Sequence, residues 1–184
     1  MKKRMFGRLD AGAVDEITLE SADAAVSILS LGCVLRDWRV QGQGRTLPVV
    51  LGFPRIEDYR DHARSHGVIA GRIANRTRHG QLTLEGREYQ LTRNEAGHHL
   101  HGGKTGLGKR IWDMEADIGA NAVILRYHSP DGEEGYPGRV DFTVTMRLVG
   151  PRLSYELEGL PDRMTPVSLA QHAYYNLDGG GSVR

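Results

Sequence analysis

Cysteine is nearly absent from this sequence, because Cys33 is the only one among 184 residues. A single cysteine cannot form an internal disulfide, which excludes the disulfide frameworks of small secreted proteins. Cys33 lies between Gly32 and Val34 in an apolar run, with no adjoining base or cationic group to activate the thiol. We therefore expect a buried structural thiol, and a reducing cytoplasm as the compartment of the protein.

A surplus of charge is also lacking. The 24 lysine and arginine residues are balanced by 23 aspartate and glutamate residues, which gives a formal net charge of +1. This balance gives no support to a nucleic-acid or anionic-membrane partner. Residues 2–4 are basic, but charged residues between Arg8 and Glu16 interrupt the apolar segment that a secretory signal needs. No run is long and apolar enough to span a membrane, so we expect neither kind of partner.

Helical periodicity is scarce, and residues 55–63 form one of the few stretches that could be helical. Short alternating or β-branched runs predict strands at residues 24–31, 81–84, 123–127, 140–149 and 153–157. Turn signals separate them at residues 85–86, 129–132, 136–138 and 150–151. Strands without intervening helices must cover their apolar faces with one another, so the sequence predicts an all-β fold of packed antiparallel sheets. The length suits one domain, or part of one.

Three of the eight histidines fall in one segment, GHHLHGG at residues 97–103, whose final glycines would let backbone and ligand approach closely. The spacing of His99 and His101 suits two metal ligands and is similar to the cupin pattern. That pattern expects a glutamate shortly downstream, where Lys104 and Thr105 stand instead. One imidazole acting in proton transfer would need no metal, and a loop histidine bonded only to backbone is a further alternative. Four other histidines have polar contexts typical of exposed or loop residues: His62, His66, His79 and His128.

Two further segments carry side chains that suit a sugar. In GRIANR, residues 71–76, two arginines and an asparagine flank an Ile-Ala step, so a guanidinium fork and an amide could contact hydroxyls from one face. His172 lies in a strand-like segment with Tyr174 on the same side, where an aromatic ring could pack on the apolar face of a sugar. Neither segment is decisive alone, because an Arg-Asn pair is usually a surface feature and a strand histidine is usually structural.

Taken together, these segments resemble the aldose 1-epimerase family. The resemblance runs in family order from about residue 24 to the end of the chain. It consists of VVLGF at 49–53, GRIANR at 71–76, LHGG at 100–103, SPDGEEGYPG at 129–138, Thr-Pro at 165–166 and HAYYNL at 172–177. The fold that it implies is a large antiparallel β-sandwich of the galactose-mutarotase type, with a cleft lined from several strands.

The resemblance also implies roles for individual residues. Asn75 and Arg76 match a substrate-contacting pair, and His101 and His172 match the two active-site histidines. His172 corresponds to the general acid, and His101 would hold and polarise the sugar. The family takes a sugar-binding aspartate and a basic glutamate from its C-terminal half, for which this sequence has no matching segment. We therefore expect residues 1–184 to be the N-terminal part of a single such domain, truncated before its C-terminal strands.

The implied reaction interconverts the α and β anomers of free hexoses such as galactose or glucose. A base removes the proton of the C1 hydroxyl while an acid protonates the ring oxygen, so the ring opens. C1 then rotates, and the ring closes from the other face. The ordinary imidazole pKa of about 6.5 suits such an acid, and no metal or organic cofactor is required. Two alternatives stay open: a non-catalytic carbohydrate-binding protein, and a hexose-phosphate epimerase with Arg72 and Arg76 in a phosphate site. The oligomeric state is not defined by the sequence.

Overall fold

The computed structural model describes residues 1–42, 44–62 and 65–178, which form mostly β-strands. The strands are β1 (Lys2–Leu9), β2 (Gly12–Glu20), β3 (Ala24–Leu29), β4 (Leu35–Gly42), β5 (Arg45–Pro48), β6 (Ile69–Ala70), β7 (Arg76–Thr77), β8 (Gln81–Leu84), β9 (Arg87–Gln90), β10 (His99–Leu100), β11 (Asp113–Asp117), β12 (Ala122–Ser129), β13 (Val140–Val149), β14 (Arg152–Pro161) and β15 (Ala170–Gln171). The α-helix is α1 (Ile56–Asp61), and short 3₁₀ turns cover Arg78–Gly80, Leu107–Lys109 and Glu133–Gly135. None of the helices in these described ranges is long and apolar enough to cross a bilayer.

Two antiparallel sheets contain most of the strands. One has the order β1-β2-β3-β4-β5 and the other the order β11-β12-β13-β14, so neighbours in each sheet are consecutive in the chain. Three two-stranded ladders complete the described fold: β8 with β9, β7 with β10, and β6 with β15. The turn predicted at residues 85–86 joins β8 to β9, with positive φ angles of 48° at Glu85 and 77° at Gly86. The predicted all-β, antiparallel fold class is confirmed.

Apolar side chains from both sheets meet in one core. In β13, Val140, Phe142 and Val144 are buried, whereas alternate residues such as Asp141 point outward. A strand places successive side chains on opposite faces, so this alternation gives β13 one apolar face. That face packs in the same cluster as the apolar face of β2 and β3, which includes Ile17, Leu19, Val26 and Ile28. Covering one sheet with the other is what stabilises strands that have no helices to pack against.

The strand predictions hold with small shifts at the ends. Strands β8 and β13 have the predicted bounds, and the runs at 123–127 and 153–157 lie inside β12 and β14. The predicted strand at 24–31 ends at Leu29, because Gly32 and Cys33 take positive φ angles of 58° and 53° in a turn. A Cβ at position 32 would lie 2.2 Å from the carbonyl oxygen of Gly108, so this turn requires glycine.

Two other expectations can be compared with the structure. The predicted helix at 55–63 is observed as α1, which begins after Arg55 and ends at Asp61, and position 63 lies outside the described residues. Cys33 is fully buried, as expected, and burial raises the pKa of its thiol well above the usual value. The glycine-rich sequence at 176–184 also predicts a loop, and this segment lies partly outside the described residues, which end at Asp178.

The GRIANR segment suggested that Arg72 faces a sugar or phosphate site. In the structure Arg72 instead points into the protein interior. It is 2% exposed, and its guanidinium packs 5.5 Å from the centroid of the Tyr136 ring. Its Nε donates to Ser129 Oγ at 2.9 Å, and its two Nη groups donate to the carbonyls of Ser129, Pro130 and Gly138 at 3.0, 3.0 and 2.7 Å. The five donors of a guanidinium therefore hold the 129–138 loop, and Arg72 is a structural residue.

Replacing Arg72 by lysine should lower the free energy of unfolding by about 1–3 kcal/mol, because lysine keeps the charge but cannot reproduce the planar fork and leaves buried carbonyls unpaired. Urea unfolding followed by circular dichroism measures this loss. Arg126→Lys is the matched control, because the Arg126 side chain is 53% exposed and forms only a surface ion pair with Glu115. An Arg72→Lys protein as stable as this control would contradict the structural role.

Candidate active site

His172 is positioned by a short antiparallel ladder. Strand β15 pairs with β6, with Gln171 opposite Ile69, and the pairing extends one residue further to His172. The His172 N–H donates to the Val68 carbonyl at 2.9 Å, and the Gly67 N–H donates to the His172 carbonyl at 3.0 Å. Both backbone groups of His172 are thus paired, which fixes the direction of its half-buried side chain. No residue within the described ranges donates to or accepts from its ring nitrogens, so the imidazole is available to a ligand.

His101 is positioned by a second short ladder and by a turn. Leu100 in β10 lies opposite Arg76 in β7, and the His101 N–H donates to the Asn75 carbonyl at 3.0 Å. His101 and Asn75 both have positive φ angles, 50° and 65°, which L-residues adopt only where surrounding contacts require it. The Gly102 that follows also has a positive φ, and a Cβ there would overlap the Gly71 carbonyl. This glycine therefore allows one backbone segment to approach another, which is one of the two close approaches predicted from the sequence.

The two ladders bring the imidazoles of His101 and His172 together. Their ring centroids are 4.9 Å apart, with an angle of 84° between the ring planes. The residues are 71 positions apart in the chain, and both rings are partly exposed. Asn75 contacts His101 directly through its backbone, and Arg76 belongs to the strand beside it. The structure therefore assembles the four predicted residues around one site, although their roles stay predictions.

The hydrogen bonds of His101 define which nitrogen carries its proton. The Asn75 N–H donates to His101 Nδ1 at 3.0 Å, so Nδ1 acts as an acceptor and the proton of the neutral ring lies on Nε2. Burial lowers the pKa of His101, and the positive charges of His172 and Arg76 lower it further. At neutral pH His101 is therefore a neutral imidazole that can donate one hydrogen bond through Nε2.

An open pocket adjoins this histidine. It has a volume of ≈ 340 Å³ and is lined by residues that include His101, Asn94, Glu95, Val68 and Lys109. Its lining combines backbone of glycines with a few polar side chains, which is typical of sites for small polar ligands.

The family model for aldose 1-epimerase matches residues 15–184. The chain belongs to the aldose 1-epimerase family. It is 39% identical over 183 residues to a galactose mutarotase of Sus scrofa, a match that covers 98% of this chain and 53% of the relative. It is 32% identical to an aldose 1-epimerase of Haemophilus influenzae, in a match that covers all of this chain and 55% of that protein.

The fold agrees with solved structures of family members. The crystal structure of a galactose 1-epimerase from Lactobacillus acidophilus has a TM-score of 0.86 and 31% identity, covering 96% of this chain and 53% of that one. The chain therefore spans about half the length of the relatives that it matches. The antiparallel β-fold of the family is shared, and the activity of the whole protein is treated below as a proposal.

His66 lies beside the two active-site candidates, although the sequence did not single it out. Its context predicted an exposed or loop residue, but it is half-buried and its ring stacks on Tyr174, with centroids 4.4 Å apart and planes 26° apart. Tyr174 in turn lies 5.4 Å from His172, and Phe53 meets the other side of His66 at 5.3 Å. Burial lowers the pKa of His66, and the charge of His172 lowers it further. His66 is thus a neutral ring that supports Tyr174 beside the active-site pair.

The other histidines of the GHHLHGG segment point elsewhere. His99 is fully buried, with Nδ1 against the Thr92 carbonyl at 2.7 Å and Nε2 against the Tyr136 hydroxyl. The backbone leaves the strand at His101, so His99 and His101 do not converge as two metal ligands would. Within the described ranges, no group of three or more His, Cys, Asp or Glu side chains could hold a metal ion.

Two glutamates of the SPDGEEGYPG segment are already engaged. Glu133 pairs with Arg110 at 2.7 Å and accepts from the Tyr127 hydroxyl at 2.7 Å. Glu134 accepts from the backbone N–H groups of Lys104 and Thr105 at 3.1 and 2.6 Å. Burial would raise the pKa of Glu134, but these hydrogen bonds lower it below the usual value. Both carboxylates fix loops and are not free to take a proton from a sugar.

Proposed function

We propose that this chain forms the histidine-bearing part of an aldose 1-epimerase site that interconverts the α and β anomers of free hexoses such as galactose or glucose. The observation that carries the proposal is the 4.9 Å approach of the His101 and His172 rings, which two separate ladders bring together beside a pocket that His101 lines. An arrangement that needs strained backbone at His101 and Asn75 is costly for a fold to maintain unless the site is used.

In this proposal His172 is the general acid and His101 orients the sugar. No residue in the described part of the chain pairs with the ring nitrogens of His172, which leaves the imidazole available to protonate the ring oxygen. Neutral His101 donates from Nε2 to a sugar oxygen near the reacting carbon, because its Nδ1 is occupied by the Asn75 N–H. Tyr174, 43% exposed and stacked on His66, supplies an aromatic surface for the apolar face of the sugar.

The base in this scheme is a glutamate from the part of the family fold that this chain does not span, and the aspartate that binds sugar hydroxyls comes from the same part. Glu133 and Glu134 are held by other residues, which supports an external base. The site also favours a neutral sugar over a hexose phosphate. The N–H groups of Arg72 already donate to carbonyls of the 129–138 loop, and Arg76 is paired with Glu95, so neither arginine is available to a phosphate group. A reducing cytoplasmic compartment is proposed on the ground that Cys33 is a free, buried thiol.

Polarimetry of a chimeric protein tests this function. The chimera, called here the extended protein, joins residues 1–184 to the C-terminal portion of the Sus scrofa relative that lies outside the match. We expect it to accelerate the change in optical rotation of freshly dissolved α-galactose or α-glucose, and to act poorly on glucose 6-phosphate. Sugar binding without faster mutarotation would instead indicate a carbohydrate-binding protein, and a preference for the phosphorylated sugar would indicate a hexose-phosphate epimerase.

The stack between His66 and Tyr174 gives a smaller prediction. His66→Phe keeps a flat ring under Tyr174, so the KM of the extended protein for galactose should stay within about twofold of the parent value. His66→Ala removes the stack, which is worth about 0.5–1.5 kcal/mol, and should raise KM roughly 3–10-fold. Equal KM values for the two variants would show that His66 does not support the sugar surface.

A further inference from the structure

The pocket beside His101 has a polar wall that the roles above leave unused. Arg76 Nη2 donates to Glu95 Oε1 at 2.8 Å, and Glu95 lines the pocket together with His101. The two side chains are 54% and 38% exposed, so both are accessible from solvent, and Arg76 reaches the edge of the pocket through Glu95. No described residue hydrogen-bonds the other carboxylate oxygen of Glu95, Oε2. The wall therefore offers guanidinium donors and a carboxylate acceptor next to each other.

The backbone, and not the ion pair, places Glu95 at this wall. Ala96 and Gly97 have positive φ angles of 45° and 82° and form a tight turn between Glu95 and His98. The Glu95 N–H donates to the His98 carbonyl at 3.2 Å, and the His98 N–H donates to the Glu95 carbonyl at 2.7 Å. The same turn leads directly into β10 and His101. Glu95 and His101 are thus held on one short hairpin, at a fixed distance from Arg76 across the β7–β10 ladder.

We propose that Arg76 and Glu95 bind the sugar as one unit, with Arg76 donating to one hydroxyl and Glu95 Oε2 accepting from the hydroxyl beside it. Each sugar hydroxyl both donates and accepts, so a neighbouring donor and acceptor suit two adjacent hydroxyls. Glu95 is then a specificity-determining residue of the same pocket. This inference rests on the proposed function, because it concerns how that site recognises its sugar. A carboxylate at this point also disfavours an anionic sugar phosphate through repulsion of like charges.

The pair has a second, measurable effect on His101. Three charged or titratable groups act on this imidazole: His172 just after β15, Arg76 from β7, and Glu95 from the turn. Lys109 lines the same pocket. The positive charge of Arg76 lowers the pKa of His101, whereas the negative charge of Glu95 raises it. The two effects oppose each other, so removing either member alone unbalances them.

NMR titration of the His101 imidazole in the 184-residue chain tests the pairing without any sugar. Glu95→Gln should lower the pKa of His101, Arg76→Gln should raise it, and the double variant should lie between them. Glu115→Gln is the matched control, since Glu115 also pairs at 2.9 Å with an arginine that is 53% exposed, but on strands away from the site. A His101 pKa that is the same in Glu95→Gln and Glu115→Gln would overturn the proposal, even in a protein that binds no sugar.

Kinetics of the extended protein test the binding role. Glu95→Gln should raise KM for galactose roughly 3–10-fold and leave kcat within about twofold, because the contact is made in the ground state and the transition state alike. This increase in KM should disappear when the substrate is the monodeoxy galactose that lacks the hydroxyl contacted by Glu95. An unchanged KM, or the same penalty for every deoxy sugar, would overturn the proposal. Loss of mutarotation in the unsubstituted extended protein would instead contradict the proposed function, and the titration would still decide the pairing.

Discussion

Replacing His172 by asparagine in the extended protein is expected to reduce kcat for mutarotation by roughly 10²–10⁴-fold, with little change in KM. Asparagine has a similar size and still donates a hydrogen bond, but it cannot transfer a proton at neutral pH. A general acid acts mainly in the transition state, so its loss lowers kcat and kcat/KM together. The measurement is the initial rate of change in optical rotation as a function of galactose concentration.

The control for this substitution is His128→Asn. His128 is an exposed histidine on β12 whose Nδ1 contacts Asp141 at 2.6 Å, far from the pocket, and its replacement should leave the rate unchanged. A His172→Asn protein with raised KM and intact kcat would show that His172 binds the sugar without donating a proton. The assignment of the general acid would then be wrong, while the location of the site would stand.

The second large effect concerns the 184-residue polypeptide by itself, which is expected to catalyse mutarotation no faster than the buffer control. Absence of one positioned base costs about 10²–10⁴ in rate, or roughly 3–5 kcal/mol of transition-state stabilisation. Two carboxylates in the 129–138 loop are engaged elsewhere: Glu133 by Arg110, and Glu134 by backbone N–H groups. The comparison is the polarimetric rate of this chain against the extended protein at equal concentration.

A 184-residue chain with the rate of the extended protein would contradict this expectation. It would mean that the base comes from within these residues, and Glu95 would be the first carboxylate to examine because it shares the pocket with His101. Glu95→Gln in the same chain would then abolish the activity. A loss of kcat of that size is clearly different from the modest KM effect expected of a sugar-binding residue.

Much of the fold could be predicted because period-two patterns mark strands directly. The alternation from Val140 to Val149 gave the bounds of β13, and Glu85-Gly86 gave the turn between β8 and β9. The end of β3 was missed because the turn at Gly32 and Cys33 depends on close packing against Gly108, a contact distant in the chain. Tertiary contacts of this kind leave no signal in local pattern.

The site could be predicted only where the family resemblance named residues. Asn75, Arg76, His101 and His172 follow from motifs, and the structure brings them together. Arg72 was misjudged because a motif arginine facing a ligand and one buried against carbonyls look alike in sequence.

His66 and Glu95 were missed for a different reason, since their partners Tyr174 and Arg76 are 108 and 19 residues away. A turn glycine lies close to each of them in the sequence, Gly67 beside His66 and Gly97 two residues after Glu95, but a turn glycine does not indicate what a neighbouring side chain contacts.

The most direct test of the account is NMR of the His101 and His172 imidazoles while galactose is added to the 184-residue chain. These two rings, 4.9 Å apart, are proposed to form one sugar site. The ring signals of both histidines should therefore shift together along the same saturation curve, whereas those of exposed His128 should not move. Shifts in neither ring, or a shift in one without the other, would contradict a shared site.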